Sequence, residues 1–162
     1  MKRFSEKSLD DITNNKIDGD ISEFGGFLNG KSVDYVKILT SEILKADQKL
    51  VDELKAAEQS SGSTAVIAVL DGSKLTVANV GDSRGVMFVE NGTAIPVSFD
   101  HKPDDEREKL RIEQAGGFIA MWGVWRVNGS LAVSRAIGDY YLKPNFVIAN
   151  PDVLVFDLLD YK

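Results

Sequence analysis

The spacing of apolar residues changes abruptly at Ser60-Ser61-Gly62-Ser63, and this change sets the fold class. Upstream, Val36, Leu39, Ile43, Ala46, Leu50, Leu54 and Ala57 recur at steps of three and four, the stripe of an amphipathic helix with one buried face. The spacing predicts a helix from about Ser32 to Glu58, ended by the Ser/Gly cluster. Downstream the period is that of strands. Thr64 to Leu70 is apolar and β-branched, Asp71-Gly72 is a hairpin signal, and Lys74 to Val80 is expected to pair back antiparallel. Gly81-Asp82-Ser83-Arg84-Gly85 then turns the chain into Val86 to Val89, and Glu90-Asn91-Gly92 turns it into Thr93 to Val97, so a four-strand meander is expected. The unbroken apolar run of the first strand implies cover on both faces, whereas the alternation in Lys74-Leu75-Thr76-Val77 implies one face in water. A helix followed by antiparallel strands belongs to the α+β class.

Pro103-Asp104-Asp105-Glu106 opens a second helix, with proline in the first turn and acids at the positive end of the dipole, and Gly116-Gly117 ends it. Phe118 to Met121 and Val124 to Val127 form a short strand pair around Trp122-Gly123. Leu131 to Ile137 is expected as a short helical turn, and Val153 to Leu158 as a last strand. Residues 1–30 follow neither period and read as a loosely ordered N-terminal extension.

Composition narrows the function. An apolar content of 43% with 27% charged residues is ordinary for a folded chain, so wholesale disorder is excluded. The net charge is -6 and neither half is basic, which argues against nucleic acid and against anionic membranes as partners. The longest apolar run, Ala65 to Leu70, is far below the roughly 20 residues that cross a bilayer. Met1-Lys2-Arg3-Phe4-Ser5-Glu6 has no apolar stretch behind it and so is no secretory signal, making cytoplasm or nucleus the expected compartment. With no cysteine and a single histidine, His101, a metal here must be a hard ion held by oxygen: Mg, Mn or Ca.

Three segments stand out together: Ser61-Gly62-Ser63-Thr64-Ala65, Ala78-Asn79-Val80-Gly81-Asp82-Ser83-Arg84, and Arg126-Val127-Asn128-Gly129-Ser130-Leu131-Ala132-Val133-Ser134-Arg135-Ala136-Ile137-Gly138-Asp139. Ser98-Phe99-Asp100-His101-Lys102-Pro103 and Ala115-Gly116-Gly117 lie between the last two, and Asn150-Pro151-Asp152-Val153 follows them. In this order they resemble the middle of the type 2C, metal-dependent protein serine/threonine phosphatase family, over about residues 58 to 158. The resemblance implies a β-sandwich of antiparallel sheets flanked by helices, partial in this chain, and hydrolysis of phosphoserine and phosphothreonine proteins. It implies two Mg or Mn ions bridging a water that attacks phosphorus, with carboxylates as ligands because hard ions prefer anionic oxygen.

The same resemblance implies a deficit. The family's bridging ions are held by an Asp-Gly-His-Gly-Gly segment and an upstream acidic pair, and by aspartates in later Asp-Gly and Asp-Asn segments, none of which is found here. Asp18-Gly19-Asp20 and Gly25-Gly26 resemble the first of these only faintly, and nothing is carried over to them. Ser32-Val33-Asp34-Tyr35-Val36-Lys37 does resemble the helix that follows it. One ligand maps: Asp82 matches the residue that helps hold an additional, weakly bound ion. A lone carboxylate binds such ions feebly, so Asp82 alone is not expected to retain Mg or Mn. Residues 31–162 thus read as an incomplete type 2C phosphatase-like catalytic domain, expected to be inactive by itself.

Other residues have structural readings beside functional ones. Asp82 and Ser83 also suit a turn cap, Asp139 a helix stop, and Asp100 a cap before the Pro103 helix. His101 is a weak candidate for proton donor. Arg84, Arg126 and Arg135 read as structural ion pairs rather than phosphate ligands, and Asp104 to Glu108 as a solvated helix turn. Met121, Trp122, Val124 and Trp125 fall where the family has a variable flap; exposed they would grip a partner, buried they belong to the core. Beside the truncated phosphatase stand two rivals: a pseudophosphatase module that binds a phosphoprotein or a partner without chemistry, and a complete enzyme using Asp18, Asp20 and Glu23 as replacement ligands. Open strand edges are also expected to promote self-association.

Overall fold

The fold is a computed structural model, and the structure describes residues 33–161. The expected extension over 1–30, and with it Asp18, Asp20 and Glu23, lies outside the described residues. Helix α1 runs Tyr35–Ala56 and buries Leu39, Ile43 and Leu54 of the expected stripe together with Val51 from outside it, while Val36, Ala46 and Ala57 are exposed. Asp34 caps it, its carboxylate accepting from the Lys37 N–H at 3.1 Å.

Strands β1 (Gly62–Ser63), β2 (Ala65–Asp71), β3 (Lys74–Val80), β4 (Val86–Phe88) and β5 (Ala94–Pro96) follow. Helix α2 (Glu106–Gln114) precedes β6 (Ile119–Trp122), β7 (Val124–Val127), β8 (Ile137–Gly138) and β9 (Asp152–Asp157), with short 3₁₀ turns at Tyr140–Leu142 and Leu158–Tyr161. This is an α+β architecture. The sheets are antiparallel: β2-β3-β9 in that order, and the pairs β1-β8, β4-β5 and β6-β7.

The strand pattern departs from the sequence reading in three ways. The meander is broken, because β4 and β5 form their own hairpin and the third place beside β3 goes to β9, some 70 residues on, with Ala78 opposite Val153. The burial expected of the first two strands is reversed. Strand β2 is, like β9, an edge strand of this sheet among the described residues and leaves Leu70 62% exposed, while Thr76 to Val80 in central β3 are all buried. No helical turn forms at Leu131 to Ile137. There Leu131 bridges back to Val127, Arg135 bridges to Ile148, and Ile137-Gly138 pair with Ser63-Gly62, so distant partners take the backbone groups that a helix would satisfy locally.

Two apolar clusters hold these elements. Leu39 and Ile43 of α1 pack on Ala78 and Val80 of β3, with Val69, Ile137 and Val153 around them. Ile112 of α2 packs with Val127, Ala136, Leu142 and Val147. Each such side chain contributes about 1.5–3 kcal/mol on leaving water. The far half of α1 is fixed by a polar pin. Asp47 accepts from the Gly138 N–H at 2.8 Å and pairs with the buried Lys143 ammonium, which also donates to Ala136 O at 2.7 Å. No described helix is long and apolar enough to cross a membrane.

Candidate functional site

The turn after β3 carries Asp82, and the segment before α2 lies against it almost residue for residue. Gly81 has φ +93°, and a Cβ there would stand 2.2 Å from Thr64 Cγ2, so only glycine closes this turn. Its N–H donates to His101 Nδ1 at 3.0 Å, and the His101 N–H donates to Gly81 O at 2.9 Å. Asn79 adds two bonds from its side chain, to Gly81 O at 3.1 Å and Phe99 O at 2.7 Å. Arg84 donates twice to Asp100, at 3.0 and 2.9 Å, and holds its carboxyl below the usual range. Ser83 and Thr64 share a hydroxyl bond of 2.7 Å, tying the turn to the Ser61-Gly62-Ser63-Thr64 segment. Three of the matched segments therefore form one layer.

Asp82 itself, partly exposed, pairs with the Lys102 ammonium. Among the described residues no three His, Asp or Glu side chains converge on a point that could hold a metal ion. A divalent ion here would meet one carboxylate already occupied by a cation, so the described residues do not fit a two-ion cage.

A second, buried polar cluster stands behind the turn. Glu108 is 3% exposed at its side chain. Arg135 donates to it at 3.1 and 2.6 Å and Arg111 at 3.0 Å. Burial alone would push this carboxyl up, but the two guanidiniums outweigh it and hold it at about 2. Arg135 also donates to Asp152 Oδ1 and to Asn150 O, both at 2.9 Å, and the other Asp152 oxygen faces His101 Nε2 at 3.4 Å. Burial, then the nearby Arg135 charge, push the His101 imidazole down, against the pull of Asp152.

These contacts sort the sequence candidates. Arg84 and Arg135 are structural ion pairs, as read, and Arg126 donates to Ser130 O at 2.6 Å. The acidic run is not a solvated turn throughout, because Glu108 points inward to two arginines. The α2 cap is Asp105, which accepts from Arg107 and Glu108 N–H groups, and not Asp100, which Arg84 has taken. His101 is buried with both its main chain and its ring turned to Gly81, so it offers no proton to an open cleft. Asp139 caps the Tyr140–Leu142 turn in a left-handed conformation, and burial raises its carboxyl. Trp122 is 72% exposed, with Met121 and Val124 beside it, so the β6-β7 tip lies in solvent. Arg111 and Lys143 escaped the sequence reading. The Glu108/Arg111 spacing of three was the available signal for the first, and nothing local marked the second.

The model of a family described as Protein phosphatase 2C matches residues 2–161. Protein phosphatase 1L of Bos taurus is 51% identical over 125 residues, covering 76% of this chain and 35% of that protein. Probable protein phosphatase 2C 69 of Arabidopsis thaliana is 40% identical over 172 aligned positions, covering 94% of this chain and 48% of that protein. Among solved structures, a serine-threonine phosphatase 2C from Toxoplasma gondii superposes with a TM-score of 0.69 at 26% identity, over 86% of this chain and 54% of that one. A C. elegans sex determining protein gives a TM-score of 0.69 at 30% identity, over 74% of this chain and 30% of that one. The chain spans about a third to a half of the length of the curated relatives cited.

Proposed function

Because the chain belongs to the protein phosphatase 2C family, we propose that it represents part of a protein serine/threonine phosphatase that hydrolyses phosphoserine and phosphothreonine with Mg or Mn, in the cytoplasm or nucleus. In this reading the described residues supply scaffold and one outlying ligand, Asp82, and the 162 residues have little or no activity alone. The observation that carries it is the missing cage: Asp82 has Lys102 for a partner, and among the described residues no group of three or more His, Asp or Glu side chains could hold an ion with it. The test is manganese-dependent release of phosphate from a phosphothreonine peptide by the full chain. No release above buffer supports the reading. Turnover that disappears in Asp82→Ala supports instead a complete enzyme with ligands from residues 1–32.

A pseudophosphatase module is the second reading, favoured by the exposed Met121-Trp122-Gly123-Val124 tip. Tight binding of a phosphoprotein or another partner without turnover, lost in Trp122→Ser, supports it. Self-association through the outer edge of β2 belongs to either reading.

A further inference from the structure

We infer that His101 is a positioning residue for Asp82, held in a single tautomer by the Gly81 N–H and backed by the charges of Asp152, Arg135 and Glu108. The inference rests on the reading of Asp82 as a cation ligand in the complete enzyme. A neutral imidazole has one donor and one acceptor nitrogen. Nδ1 accepts from the Gly81 N–H, so the proton belongs on Nε2, which stands 3.4 Å from the Asp152 carboxylate without an aligned hydrogen bond to it. With the proton on Nδ1, two N–H groups would oppose each other in a site that is 2% exposed. Asp152 is oriented in turn by Arg135, and Arg135 by buried Glu108. The relay therefore runs from α2 through β9 to the peptide beside Asp82; outside it, the neighbouring Asp100 carboxylate also acts on the ring. Lys102 fixes the Asp82 carboxylate; His101 fixes the backbone that carries it.

The pairing of amide side chains with ring nitrogens makes this testable. Asparagine places an acceptor near Nδ1, whereas glutamine reaches toward Nε2. In the full chain without metal, amide exchange at Gly81 is expected to quicken roughly tenfold in His101→Gln, the loss of about one hydrogen bond, and to change by less than about threefold in His101→Asn. Nitrogen-15 NMR of the unsubstituted chain is expected to show Nδ1 bare and Nε2 protonated, which keeps the inference falsifiable if either variant fails to fold. Equal effects of the two substitutions, or a proton on Nδ1, would overturn it. Neither readout involves metal, so a failure of Asp82 to bind cations leaves the result standing and counts against the functional reading alone.

Discussion

Glu108 shows how one side chain can be misjudged from its neighbours in sequence. Asp104, Asp105 and Glu106 around it suit a solvated first turn, and its helix position shows only the Arg111 partner three residues on. Its second partner, Arg135, is 27 residues away, and only the packed fold brings it in. Removing the carboxylate leaves Arg111 without an anion and Arg135 with Asp152 alone, so Glu108→Gln is expected to cost about 3–5 kcal/mol in denaturant unfolding. Arg84→Ala, which breaks a pair whose arginine is 63% exposed, is expected to cost about 1 kcal/mol or less. The acid titrations add a sign. A lowered histidine pKa means that the unfolded chain takes up a proton near pH 6.5 that folded His101 refuses, so stability falls as pH drops below that value. Glu108 contributes fully above its ordinary 4.5, and that contribution, on the order of 3 kcal/mol, is lost between 4.5 and about 2. Urea midpoints measured from pH 8 to 3 should therefore decline in two stages, and Glu108→Gln should shrink the lower one, leaving the part due to other lowered carboxyls such as Asp100 and Asp152.

At the scale of elements, position in the sheet overrode local pattern. The helix α1, the hairpin β2-β3, the β6-β7 pair and β9 follow the residue periodicities within a few positions, because each is decided by neighbours in sequence. Which strand is central is decided elsewhere: β9 pairs with β3, so the alternating strand became the buried one and the continuous apolar strand became an edge. The Gly81 turn offers a comparison within the molecule. Gly81 and Gly92 both have positive φ, but a Cβ on Gly92 meets nothing within 4 Å while one on Gly81 strikes Thr64. Gly92→Ala should cost only backbone strain, about 1–3 kcal/mol, and Gly81→Ala measurably more in thermal unfolding. The apolar edge of β2 makes a separate prediction. If it mediates self-association, Leu70→Lys should shift sedimentation toward monomer without lowering the unfolding midpoint, since Leu70 is already mostly exposed. An unchanged distribution would remove β2 from the account.

For the whole molecule, the family was legible because the matched segments keep their order, and the structure packs those around Asp82 into one layer. The site was legible only as far as Asp82. Its partner Lys102 and the relay behind His101 depend on side chains from α2, β9 and the Ser134-Arg135 bridge, which no spacing in the sequence ties together. The relatives cited are about twice as long as the chain, so much of their length lies outside the residues described. The claim at the centre is therefore one of ligand number. Calorimetric titration of the full chain with Mn²⁺ tests it most directly: the account predicts only weak binding, without a saturable site below about millimolar. Two saturable sites of micromolar affinity would contradict it.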